Sequence, residues 1–66
     1  MKPEDILSLT QTLTPHESHL LVTLTDGRSY KGCYQKTEFG ILILQPKVIR
    51  SQYLFAFEQI KAITVL

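Results

Sequence analysis

Aromatic and basic side chains alternate along residues 28–36 in a pattern that can serve nucleic-acid binding. In the sequence, Tyr30 and Tyr34 lie on either side of Lys31, and Arg28 precedes them. On a β-strand, tyrosine rings can stack on bases while nearby cations contact phosphates. The alternative is structural and commoner, since tyrosines often anchor a small barrel with their rings and keep their hydroxyls in water. The pattern leaves both interpretations open.

The sequence PHESH, residues 15–19, holds both histidines of the chain. Histidines three residues apart can share a metal on a helix, but Pro15 favours a loop, and zinc needs three or four protein ligands. Cys33 lies elsewhere and is expected to be a small buried hydrophobe. No nucleophile elbow, glycine-rich phosphate loop or pair of catalytic acids stands out. The sequence therefore predicts neither an enzyme nor a metal or cofactor site.

Length and composition favour a small domain that depends on a partner. The 66 residues are expected to form one domain over residues 1–66. A chain this short buries only about 60% of the surface that its unfolded form exposes, and a single cysteine allows no internal disulfide. Self-association is the first inference. Because the net charge is only +1, RNA contact would need a local basic patch, or one repeated by symmetry.

The start of the chain is charged and lacks the apolar core of a signal peptide. The longest aliphatic run, residues 41–44, is far below membrane-spanning length. A lone cysteine and the absence of an export signal favour a reducing compartment. We therefore expect a cytoplasmic protein without a membrane association.

One helix and five short strands must position these side chains. Pro3 and the acids after it suit the first turn of a helix over residues 3–13. Alternating apolar residues then predict strands at about 19–25, 28–36, 40–45, 50–57 and 60–66. Asp26-Gly27 predicts a hairpin in which both turn positions take positive φ, and Gly32 predicts a bend or a close backbone approach. This order predicts a mainly β fold, in which the N-terminal helix is followed by a five-stranded, strongly bent antiparallel small barrel.

The last two strands are apolar and lack most of the features that protect an edge. Natural edge strands are blunted by charge, proline or brevity, whereas only Lys61 interrupts the fifth strand. We expect the fourth strand of one copy to pair with the fifth strand of the next, and a head-to-tail contact of this kind can close a ring. The residues expected at this subunit interface are Tyr53, Phe55, Phe57, Ile63 and Val65.

The stretch LLVTLTDGRSYKGCYQKTEFGILIL resembles the first motif of the Sm-like (LSm/Hfq) superfamily, with Gly27 and Gly32 at its two glycines. EFGILIL and the N-terminal helix are most similar to bacterial Hfq-like proteins. The resemblance implies a homo-oligomeric ring, of six or seven copies, that binds single-stranded U- or A-rich RNA and acts as an RNA chaperone. It also implies that Phe39 stacks on a base in a pocket shaped by Thr37, Glu38 and Gly40. Phosphate partners would be Arg50, Lys61 and Lys47, with Tyr30 and Lys31 as further contacts.

Several positions depart from the superfamily pattern. Thr37 replaces the usual acid of the bend, Ile41 replaces an asparagine, and Phe57-Glu58 stand where Hfq-like proteins carry a tyrosine-lysine-histidine triplet. TDGRSYKGC also resembles the Sm-fold accessory subunit of a eukaryotic N-terminal acetyltransferase, which is a protein scaffold. Two alternatives therefore remain: Phe39 as a core aromatic, and the whole chain as a protein-interaction scaffold with an Sm-type or SH3-like barrel and little or no RNA binding.

Overall fold

A computed structural model describes residues 1–45 and 51–66 of the chain. The helix, α1, spans Pro3–Thr10, with Pro3 at its start and two acids in its first turn. It ends three residues earlier than predicted because the chain tightens there: the Thr12 N–H donates to Leu9 O at 3.0 Å, and the Thr10 hydroxyl donates to Leu7 O at 3.0 Å. Among the described residues, no helix is long and apolar enough to cross a membrane.

Five antiparallel strands follow the helix in a single sheet. Their order across the sheet is β4-β3-β2-β1-β5. The predicted fold class, an N-terminal helix followed by the five antiparallel strands of a strongly bent small barrel, is confirmed. In residues 1–45 and 51–66 the sheet stays open between β4 and β5. Its strands are β1 His19–Leu24, β2 Ser29–Thr37, β3 Gly40–Leu44, β4 Gln52–Ala56 and β5 Ile60–Val65, with a short 3-10 turn, Phe57–Gln59, between the last two.

The β1–β2 hairpin forms at the predicted place with a different turn. The Gly27 N–H donates to Leu24 O at 3.0 Å, and Leu24 N–H donates to Arg28 O at 2.7 Å. Gly27 has φ +93°, whereas Asp26 is not among the described residues with positive φ. Instead, the Asp26 carboxylate accepts the Arg28 N–H at 3.0 Å. This side-chain bond favours a longer connection over the two-residue turn that the sequence predicts.

One face of the sheet, here called the core face, packs against α1. Its side chains alternate with those of the opposite, outer face, as strand geometry requires. The close approach predicted at Gly32 is present: a Cβ there would lie 2.9 Å from Leu44 O and 3.1 Å from Ile43 Cδ1. The buried apolar residues of the core are Ile6, Leu13, Leu20, Val22, Tyr34, Ile41, Ile43, Phe55 and Ile60.

Two bulges add to the bend of the sheet. On β2, Tyr34 pairs with Ile43 and Lys36 pairs with Leu42, so Gln35 is an extra residue. On β5, Ala62 and Ile60 pair with successive residues of β1, so Lys61 is extra. A bulge increases the local twist and re-aims the side chains that follow it. The first bulge lies directly before the β2–β3 connection, and it determines which side chains that connection presents.

Candidate nucleic-acid interface

Phe39 projects from the connection between β2 and β3. Its side chain is 85% exposed, so the alternative interpretation as a core aromatic is wrong. The bend is closed by a hydrogen bond from Glu38 N–H to Gly40 O at 3.1 Å. Gly40 then lies directly against the backbone carbonyl of Phe55 on β4, at a contact that leaves no room for a Cβ. Because Gly40 is fixed against its neighbour strand, the ring of the preceding residue is left in solvent.

The bulge at Gln35 in β2 helps to hold this bend in place. The extra residue Gln35 brings Tyr34 and Thr37 to the same core face, although they are three residues apart. The Tyr34 hydroxyl lies 2.7 Å from Thr37 Oγ1, and the tyrosine ring itself is only 5% exposed. A short hydrogen bond between a buried ring and the last residue of β2 restrains the position at which the bend starts.

A shallow cavity of about 250 Å³ lies beside the exposed ring. Its floor is apolar: Leu42 and Leu54 are direct cross-strand partners on the outer face, and Leu54 is 64% exposed. An ion pair borders it, with Lys36 Nζ 3.4 Å from Glu38 Oε2. We call this feature the Phe39 groove. It is lined by Lys36, Glu38, Phe39, Gly40, Leu42 and Leu54.

The other predicted RNA contacts lie away from this groove. Tyr30 packs in the core-face aromatic cluster, with its ring centroid 4.9 Å from Tyr53 and 5.2 Å from Phe55. Lys31 is exposed and pairs with Leu21 on the outer face. Lys61 is exposed on β5, at the opposite edge of the sheet. Of the predicted set, the structure brings together Glu38, Phe39 and Gly40, with Thr37 directly before them.

Arg28, at the start of the predicted aromatic-basic stretch, is exposed. A side-chain hydrogen bond with Tyr30, followed by the charge of Asp26, raises the pKa of Arg28 above its ordinary value. The Arg28 Nε also lies 3.4 Å from Asp26 Oδ2. This guanidinium therefore stays charged under all ordinary conditions, but it is partnered at the hairpin turn.

Three groove residues were not predicted from the sequence: Lys36, Leu42 and Leu54. Lys36 and Glu38 are two residues apart at the end of a strand, a spacing that places side chains on one face. That spacing is a usable signal for the ion pair. Leu54 alternates with the aromatic residues of β4, and this alternation indicates that its side chain lies on the opposite face. The alternation does not indicate that Leu42 is its cross-strand partner. The predicted phosphate partners Arg50 and Lys47 lie outside the described residues.

The predicted interface residues lie on or next to the two edge strands. Within residues 1–45 and 51–66, β4 pairs with β3 alone and β5 pairs with β1 alone. Phe55 is buried in the core of its own chain at 6% exposure, whereas Val65 is 48% exposed. Tyr53, Phe57 and Ile63 are partly buried against the core. In the described residues, the two edge strands therefore present backbone hydrogen-bonding groups, with partly buried side chains beside them.

Residues 15–18 of the PHESH segment form a loop, as predicted, and His19 is the first residue of β1. The His16 N–H donates to Tyr34 O at 2.8 Å, and the Ser18 hydroxyl accepts the Thr14 N–H at 2.9 Å. His19 lies opposite Cys33 in the β1–β2 register. In the part of the chain that the structure describes, no three His, Cys, Asp or Glu side chains are grouped as metal ligands.

The arrangement at the bend can bind a flat ring. An exposed aromatic face, an apolar floor and a flanking pair of opposite charges can hold a planar group that has polar edges. No family model, curated protein or solved structure matches the chain. Its function is therefore inferred from the Phe39 groove, the two sheet edges and the motif resemblance.

Proposed function

We propose that this protein is an Sm-like RNA-binding subunit that binds single-stranded RNA at the Phe39 groove. The observation that carries the proposal is the 85% exposure of Phe39 at the bend where the motif resemblance expects a stacking residue. Burying a phenylalanine side chain is worth about 1.5–3 kcal/mol, which this position forgoes in the single chain. Stacking on a base recovers part of that free energy and is worth about 1–3 kcal/mol per base.

Edge-to-edge assembly is the second part of the proposal. We infer that β4 of one copy pairs with β5 of the next, and that repetition of this contact closes a ring of six or seven copies. The support is the sheet order, which leaves these two strands at the margins of the described chain. A ring repeats one weak base contact at each subunit, so the contacts add by multivalency without a strongly basic surface. Such a ring would act in the cytoplasm as an RNA chaperone.

Fluorescence anisotropy with labelled oligo-U and oligo-A tests the RNA-binding site. We expect Phe39→Ala to weaken binding by at least about fivefold, since the lost stacking is worth about 1 kcal/mol or more per base. The variant should keep the stability of the parent protein because the ring is exposed. Leu7→Ala is the matched control, since Leu7 is also apolar and exposed, at 46%, but lies on α1.

Two results would contradict the proposal. RNA binding no tighter than that of an inert protein at low salt, with oligo-U, oligo-A and a guanosine-containing strand alike, would remove RNA from the function. Unchanged affinity in Phe39→Ala, with the parent protein binding well, would place the site elsewhere on the molecule. Both titrations need a stated and constant salt concentration, because phosphate contacts make affinity strongly dependent on it.

The second candidate function is a protein-interaction scaffold. It is favoured by an apolar pair on the outer face, the exposed Leu54 beside the half-buried Leu42, since a solvated sheet face is normally polar. The near-neutral charge of the chain agrees with it as well. Affinity purification from the source lysate, with and without RNase, separates the candidates: partners that persist after RNase treatment bind through protein contacts.

A further inference from the structure

The ion pair at the Phe39 groove has the chemistry of a base-selective site. Lys36 and Glu38 are 62% and 63% exposed, and their charged atoms are 3.4 Å apart. An exposed pair of this kind contributes only about 0–1 kcal/mol. A ligand can therefore separate the two groups and take up each one at small cost. Both side chains line the same cavity as Phe39, so both are within reach of a ring in that cavity.

The β2 bulge is the reason that both charges reach the groove. Because Gln35 is the extra residue, Lys36 pairs with Leu42 on the outer face. The Glu38 N–H then bonds to Gly40 O and fixes the backbone that carries the carboxylate. The cavity, at about 250 Å³, is smaller than sites for drug-sized ligands, which measure about 300–1,000 Å³. Its size suits one flat base better than a larger ligand.

The hydrogen-bonding character of the pair distinguishes among the four bases. An ionised carboxylate only accepts hydrogen bonds, and it can do so through both oxygens at once. An ammonium group only donates. Guanine presents adjacent N1–H and N2–H donors beside its O6 acceptor, so it can satisfy both charged groups together. Uracil presents carbonyl oxygens on both sides of its single N–H donor, and one of them would face the carboxylate.

We propose that the Phe39 groove selects guanine in single-stranded RNA. Glu38 accepts hydrogen bonds from N1–H and N2–H, Lys36 donates to O6, and the Phe39 ring stacks on the base. Adenine and cytosine each offer the carboxylate one amino group and no adjacent second donor, so they bind less tightly. This inference rests on the proposed RNA-binding function and names the base that the same site prefers.

Matched oligonucleotides test the preference by fluorescence anisotropy. The probes are short labelled oligo-uridine strands with one central guanosine, inosine, adenosine or cytidine, together with an all-uridine strand. We expect the guanosine strand to bind at least about tenfold more tightly than the all-uridine strand, the discrimination typical of a bidentate base contact. Inosine lacks the exocyclic amino group, so its strand should lose much of that advantage.

A variant that removes the charge of Glu38 separates the preference for guanine from RNA binding in general. Glu38→Gln replaces one acceptor oxygen with a donor, so the ratio of guanosine to uridine affinity should fall towards one. Glu58→Gln is the matched control, since Glu58 is an exposed carboxylate in the 3-10 turn outside the cavity. Its ratio should equal that of the parent protein. Lys36→Met keeps the apolar stem, and it should reduce the ratio less than Glu38→Gln does.

The outcomes distinguish this inference from the function on which it depends. If no strand binds, RNA binding and guanine selection are both wrong. If all strands bind equally and Phe39→Ala weakens them all, RNA binding stands and guanine selection is overturned. A preference for uridine, or a guanosine preference that survives in Glu38→Gln, also overturns the selection.

Discussion

At the scale of single residues, the molecule uses two nearby aromatic rings in opposite ways. Tyr34 is buried under the bend, while Phe39 is left in solvent beyond it. The hydroxyl of Tyr34 explains the difference, because it bonds to Thr37 and holds the end of β2 on the core. With that anchor in place, the chain turns at Glu38 and Gly40 returns to the sheet. Phe39 is thus exposed by the positions of its neighbours.

The Tyr34–Thr37 hydrogen bond should be measurable as a pairwise coupling. We expect Tyr34→Phe and Thr37→Val each to lower the free energy of unfolding by about 0.5–1.5 kcal/mol, since each removes the bond while keeping the side-chain shape. The double variant should lose less than the sum of the two, because the second change has no bond left to break. Urea denaturation of the four proteins gives the values. Strict additivity would show that the bond does not stabilise the fold.

At the scale of elements, the period-two pattern predicted the five strands, with bounds correct to within a few residues. It could not predict the bulges at Gln35 and Lys61, because an extra residue changes the register without changing composition. That is why the sequence predicted that Phe39 and Glu38 lie together at the bend but did not predict Lys36, Leu42 and Leu54 beside them. The sequence also could not predict that Tyr30 packs against Tyr53 and Phe55, because that packing joins residues that are far apart in the chain.

Gly32 offers a test of how closely β2 and β3 must approach. Gly32→Ala should lower the free energy of unfolding by about 1–3 kcal/mol, the usual cost of adding a methyl group to a packed interior. The physical reason is that the new Cβ would meet a backbone oxygen, Leu44 O, at 2.9 Å, which a side-chain rotation cannot relieve.

Lys31→Ala is the matched control for the Gly32 substitution. It lies on the same strand, one residue away, but its side chain is exposed. We expect a change within about 0.5 kcal/mol there, as is usual for surface positions. Equal effects of the two substitutions in thermal or urea denaturation would mean that β2 and β3 can separate without cost at Gly32.

At the scale of the whole molecule, a small core and two sheet margins favour assembly. A chain of 66 residues leaves a large share of its apolar surface in water. Part of that surface lies on the edges: Val65 on β5 is 48% exposed, and Leu54 on β4 is 64% exposed. Pairing these margins between copies would bury the apolar side chains and satisfy the backbone groups beside them. It would also place the Phe39 groove, which includes Leu54 on β4, next to each contact between subunits.

Light scattering and native mass spectrometry measure this assembly directly. We expect a multiple of the 7.6 kDa chain mass at micromolar concentration. Val65→Lys should shift the protein towards the single-chain mass, because a lysine on an edge strand opposes pairing with another strand. Val65→Thr, which keeps the β-branched shape without the charge, should retain more of the assembly. A single-chain mass for the parent protein, or full assembly of Val65→Lys, would contradict edge pairing through β5 and leave the Phe39 groove to act in an isolated chain.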